Sequence, residues 1–111
     1  MTHSAIDLST FRDLQDTAGA DFVAELVGTF LEEAPAMLAE LRTAHAVADA
    51  DRFRRAAHSL KSNSHTFGAR SLGALARALE LGGLEADVAR LDALEAEYGR
   101  AAAVLESLRH G

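Results

Sequence analysis

The chain has no cysteine, no tryptophan and a single proline, and aromatic residues make up only 5% of its 111 positions. Without cysteine there is no disulfide scaffold, no thiolate metal site and no cysteine nucleophile. β-Branched and aromatic runs that would build strands are also missing, whereas Ala, Leu, Glu and Arg dominate and lose little entropy in a helix. No apolar stretch approaches the roughly 20 residues that span a bilayer, and the N-terminus lacks a basic region followed by an apolar one. These features predict a soluble, cytosolic chain with no membrane association. Its length suits one domain, residues 1–111, with one core. A net charge of −6 argues against general nucleic-acid binding.

Hydrophobic periodicity divides the chain into helices. A short first helix is expected from Asp7 to Asp16, with caps at Asp7 or Ser9, apolar Leu8, Phe11 and Leu14, and an end near Ala18-Gly19. The second runs from about Asp21 to Ala46 with a stripe of Phe22, Leu26, Phe30, Met37 and Leu41; Pro35 inside it predicts a kink. The third starts between Asp49 and Asp51 and ends near Phe67, before Gly68. The fourth covers about Ala69 to Leu81, with Leu72, Leu75, Ala76 and Leu79 inward and Gly82-Gly83 as a turn. The last spans about Ala86 to Leu108 through Leu91, Leu94, Tyr98, Ala102, Leu105 and Leu108. Long amphipathic helices on short connections predict an all-α fold, an up-down-up-down antiparallel four-helix bundle with the short N-terminal helix covering one end.

The third helix carries the chemistry. At roughly 100° per residue, with His58 as origin, Phe53, Ala56, Ala57, Leu60, Ser64 and Phe67 fall between about 160° and 260°. Lys61, Ser62, His65, Arg54 and Arg55 lie within about 60° of His58, which therefore points away from the core. Residues 51–70 hold five bases (Arg52, Arg54, Arg55, Lys61, Arg70) against Asp51, a charge of +4, while the other 91 positions carry −10. Such a basic island on an acidic domain suits an anion or an acidic partner. Ala57, Ser59 and Ser62 leave the imidazole little hindered. A neutral imidazole is a good nucleophile near pH 7, and Lys61 one turn on could neutralise a phosphoryl group placed on it. There is no GxxxxGK[ST] phosphate loop and no acidic cluster of metal-site spacing, so nothing visible takes phosphate from ATP.

Ala57-His58-Ser59-Leu60-Lys61-Ser62-Asn63-Ser64-His65-Thr66-Phe67-Gly68-Ala69, continuing to Leu72 and Leu79-Glu80, resembles the histidine-containing phosphotransfer (HPt) domain of two-component phosphorelays. The stripe from Phe22 to Leu41 with its Glu-Glu-Ala-Pro is similar to that family's second helix. The resemblance implies that His58 accepts a phosphoryl group from an aspartyl phosphate on one receiver domain and relays it to another. Lys61 would neutralise the phosphoryl oxygens, and Gly68 would permit close approach where the third and fourth helices meet. Ser62 stands where the family often has Gly; it is small enough to keep the site open. The expected partners are response-regulator receivers and a hybrid sensor kinase. The receiver would supply Mg2+, this domain binding no cofactor or metal of its own, and the chain would be a monomer and a phosphoryl carrier without a kinase site.

Arg54, Arg55 and His65 are candidates for the partner-docking rim. His3, His45 and His110 are expected to be inert surface positions. Glu32, Glu33, Glu95, Glu97 and Glu106 read as solvated helix faces, and Tyr98 as a core anchor. Three rivals stand beside the relay. One is a module of the same fold that is not phosphorylated and acts by occupying a receiver or kinase. A metal-carrying bundle would need Glu-x-x-His pairs, and no His here has a Glu three positions before it. A DNA-binding basic face would bind with steep salt dependence.

Overall fold

A computed structural model of the protein describes residues 5–110, the side chain of His110 excepted. His3 and that side chain therefore lie outside the described residues. The architecture is all-α: α1 (Leu8–Ala18), α2 (Ala20–Ala46), α3 (Ala50–Phe67), α4 (Arg70–Gly82), a 3-10 turn at Gly83–Glu85, and α5 (Val88–His110). α2 packs on α3 and α5, and α4 on α3 and α5, which closes a ring of four helices; α1 lies against α2 and α3.

Local chemistry sets the boundaries. Asp7 caps α1 by accepting from the Ser9 N–H, and Asp49 caps α3 by accepting from the Arg52 N–H. Gly68 ends α3 in the left-handed conformation, φ +82°, donating its N–H to the His65 carbonyl. That turn is also a junction. The Asp7 N–H donates to the Gly68 carbonyl at 2.8 Å, Arg70 pairs with the Asp7 carboxylate at 2.7 Å, and a Cβ on Gly68 would sit 2.8 Å from the Asp7 carbonyl oxygen. The close approach predicted at Gly68 thus involves the start of α1 as well as the meeting of α3 with α4.

α2 passes through Pro35 as one uninterrupted helix. The proline is exposed, so water can take the carbonyl one turn back that loses its donor. Its buried stripe is Val23, Val27, Phe30, Ala34, Leu38, Leu41 and Ala44. This corrects the expected one, which ran a residue out of phase over the first turns: Phe22 is 52% exposed, and Leu26 and Met37 are only partly buried. Side-chain size favoured Phe22 over Val23, but the 3.6-residue period continues from the valines. Leu8, expected inward on α1, is exposed as well, the core position there being Phe11.

α3 buries the predicted set, Phe53, Ala56, Ala57, Leu60, Ser64 and Phe67. Ser64 is fully buried because its hydroxyl donates to the Leu60 carbonyl at 2.6 Å. Phe53, Leu60 and Phe67 each contribute about 1.5–3 kcal/mol by burial. Those three fix the helix from its inner face, leaving the outer face free to be chosen for chemistry. Phe67 meets Phe30 (centroids 5.5 Å), which meets the Tyr98 ring edge-on (6.1 Å), and burial pushes the Tyr98 hydroxyl above its ordinary pKa.

Candidate functional site

The site is assembled by the register of α4 against α3. After the Gly68 turn α4 runs back along α3, so that the His65 ring lies over Gly73 and, one and two turns earlier on α3, Lys61 and His58 reach Glu80. His58 Nδ1 is 2.8 Å from one Glu80 carboxylate oxygen and Lys61 Nζ is 2.7 Å from the other. The His58 side chain is 56% exposed, whereas those of Lys61 and Glu80 are 23% and 16% exposed. The reactive ring is thus open and its two supports are sheltered. The Lys61 ammonium first, and the His58 ring second, hold the Glu80 carboxyl below the usual carboxylate range.

A carboxylate can only accept, so its contact assigns the proton of the neutral imidazole to Nδ1. Nε2 then carries the lone pair, and it has no hydrogen-bond partner among the described residues. Lys61 has three N–H donors and Glu80 engages one oxygen's worth of them, leaving others for an incoming anion. The arrangement can therefore present an outward nitrogen nucleophile with a cation one helical turn away.

Other expected site residues are distributed differently. Ser59 and Ser62 are exposed beside His58, but Ala57 is fully buried and belongs to the core instead of the rim of the imidazole. Its position between the two faces of the wheel made it look like both. His65 is an exposed residue whose ring shields Gly73, where a Cβ would approach it to 2.8 Å.

The bare basic island is not there. Each of its five bases has a carboxylate partner: Arg52 with Glu40, Arg54 and Arg55 both with Asp51, Lys61 with Glu80, and Arg70 with Asp7. Three of those four acids come from other parts of the chain, which a count along residues 51–70 could not see. Between α2 and α3, next to Ser59, lies an open groove of about 570 Å³, floored by Ala36, Met37 and Ala56 and edged by Glu32, Glu33 and Glu40 on one side and Arg52 and Arg55 on the other.

Two further expectations are corrected. His45 is not inert: its Nε2 is 2.7 Å from the Ala86 carbonyl, to which it donates, and its ring lies against Phe53. It ties the end of α2 to the approach to α5. Glu95 and Glu97 are not simply solvated. Arg42 donates to both Glu95 oxygens at 2.7 Å, and Glu97, 8% exposed, pairs with Arg100 at 2.8 Å.

The functional residue the sequence reading missed is Glu80. It closes the Leu79-Glu80 end of the motif. The one available signal was a charged residue directly after the inward Leu79. Its meaning depends on how α4 is aligned with α3.

Among the described residues no three His, Asp or Glu side chains converge as a metal-binding group, and no helix is long and apolar enough to cross a membrane. No curated protein and no solved structure matches the chain. The family model of the Hpt domain matches residues 25–104, from the second turn of α2 to the last turns of α5, with His58, Lys61, Gly68 and Glu80 inside the matched region. An all-α chain matched over most of its length, with an outward histidine on its third helix, belongs to the Hpt domain family, the phosphotransfer domains of two-component signalling that interact with receiver domains.

Proposed function

We propose that this domain is a phosphorelay carrier: His58 accepts a phosphoryl group from the aspartyl phosphate of one receiver and passes it to a second, on an up-down-up-down bundle that presents the histidine sideways. The observation that carries this reading is the 2.8 Å contact of Nδ1 with Glu80 on a ring that is 56% exposed. With Nδ1 protonated, the Nε2 lone pair forms the N–P bond while the P–O bond of the acyl phosphate breaks and its electrons return to the receiver's carboxylate. Lys61 turns a free N–H toward the phosphoryl oxygens as their charge comes within reach. The receiver supplies the aspartate and Mg2+. Ser59, Ser62, Arg54 and Arg55 border the approach, and the α2–α3 groove beside Ser59 offers the apolar footing for a docked receiver.

The test is to incubate the domain with a phosphorylated cognate receiver and quantify acid-labile label. The wild type takes up label and releases it to a second receiver, and His58→Gln takes up none. Normal labelling of His58→Gln would refute the assignment. Equal signalling in cells by wild type and His58→Ala would favour a module that works by occupancy.

A further inference from the structure

The contact that selects the nucleophilic nitrogen has a second consequence once the phosphoryl group is in place. A phosphoryl group on Nε2 leaves by cleavage of the P–N bond, whose electron pair returns to the ring. If Nδ1 still holds its proton, the departing group is a neutral imidazole. If that proton has been lost, the departing group is an imidazolate, a far poorer one. The fate of one proton therefore sets how readily the carrier unloads.

The charges around that proton are specific. From α4, Glu80 faces the ring at 2.8 Å, with exposed Arg77 one turn before it. From α3 come Lys61, on the other Glu80 oxygen, and Arg54 and Arg55, both held by Asp51. α2 contributes Glu32, Glu33 and Glu40 to the groove beside Ser59. In the resting site the negative charge of Glu80 is matched by Lys61. A doubly charged phosphoryl group draws on Lys61, which leaves Glu80 matched less fully and raises the value of a positive charge on the ring.

Resting on the phosphorelay reading above, we propose that Glu80 is a positioning residue which keeps the Nδ1 proton on phospho-His58, so that the domain unloads from the imidazolium form throughout the neutral pH range. In the unloading step the receiver's carboxylate oxygen bonds to phosphorus, the P–Nε2 bond breaks, its electron pair goes to Nε2, and the Nδ1 proton stays where it is. Glu80 touches neither phosphorus nor the leaving bond.

The experiment uses the whole chain with 15N-labelled histidine, loaded with potassium phosphoramidate, and follows the Nδ1 shift of phospho-His58 from pH 5.5 to 9. In parallel, 31P NMR measures the rate of phosphoryl loss to water. Glu80→Gln is expected to lose the Nδ1 proton at least about one pH unit below wild type. Above that point its rate of loss falls about tenfold per pH unit, while the wild-type rate stays level to higher pH. Glu80→Asp keeps the charge and titrates nearer to wild type than Glu80→Gln does. Coincident titrations of wild type and Glu80→Gln, or the reverse order of the two variants, would overturn the proposal while leaving the carrier reading intact. Absence of any label on His58, from phosphoramidate and from receivers alike, would overturn both.

Discussion

Two seams of the bundle use the same device to different ends. Between α2 and α5, Arg42 donates to both oxygens of Glu95 and also reaches Asp92; between α3 and α4, Lys61 and His58 occupy the two oxygens of Glu80. In each, a carboxylate with both oxygens engaged links neighbouring helices. At Glu95 both donors belong to one guanidinium, which has no proton to give up near neutral pH and no lone pair to offer. At Glu80 the donors come from two residues, and each keeps something in reserve: Nε2 on the histidine and further N–H groups on the lysine. The same geometry makes a clasp in one place and an orienting support in the other. What differs is that the imidazole keeps an unengaged lone pair on Nε2, which a guanidinium does not have.

The comparison can be broken most forcefully at its functional end. His58→Gln is expected to abolish acid-labile labelling while leaving the denaturation midpoint close to wild type, because the side chain is outside the core. Loss of stability comparable to a core substitution would show that the α3–α4 seam is a clasp after all. Next in size is Gly68→Ala at the α1–α3–α4 junction. A left-handed φ of +82° and a Cβ 2.8 Å from the Asp7 carbonyl oxygen predict a loss of roughly 2–4 kcal/mol by urea titration.

Acid separates the seams less than it weakens both. The carboxyls of Asp7, Glu40, Glu80 and Glu95 are held below their ordinary range, chiefly by bonds from Thr10, Arg52, Lys61 and Arg42 respectively. Folded-state values below the unfolded ones mean a stabilising contribution that is complete above the unfolded carboxyl range and is lost as pH falls through the folded values. Thermal melts between pH 7 and pH 3 should therefore be level at first and decline below about pH 4.5. Arg42→Gln should lower the melting temperature modestly without altering the rate of phosphoryl uptake, which confines the α2–α5 contact to stability. The smallest effect is expected at Ala48, a non-glycine residue at φ +57° in the α2–α3 turn. Ala48→Gly relieves that conformation against a larger backbone entropy loss and should stabilise the fold by under about 1 kcal/mol, with labelling unchanged.

Much of this was legible in the sequence because helical periodicity is a local property. The boundaries of α3, a cap at Asp7, the inward set from Phe53 to Phe67 and the outward His58 all follow from spacing within single helices. The site was half legible. His58 and Lys61 share a helix, so their proximity could be read, but Glu80 is 22 residues on and its place depends on the register set at the Gly68 turn. The supposed basic field failed for the same reason, since Asp7, Glu40 and Glu80 reach Arg70, Arg52 and Lys61 only through tertiary packing. Phe22 shows a different limit: beside Val23 in the first turn of α2, size is a poor guide to which of two adjacent apolar residues faces the core.

In the proposed mechanism Glu80 fixes the His58 proton on Nδ1 and so directs phosphoryl chemistry to Nε2. The most direct measurement is 15N and 31P NMR of the loaded domain, which reports the phosphorylated nitrogen through its coupling to phosphorus. The expected result is a single phosphohistidine, bonded through Nε2 of His58 and absent from His58→Gln. A phosphoryl group on Nδ1 of His58, or on His65, would contradict it.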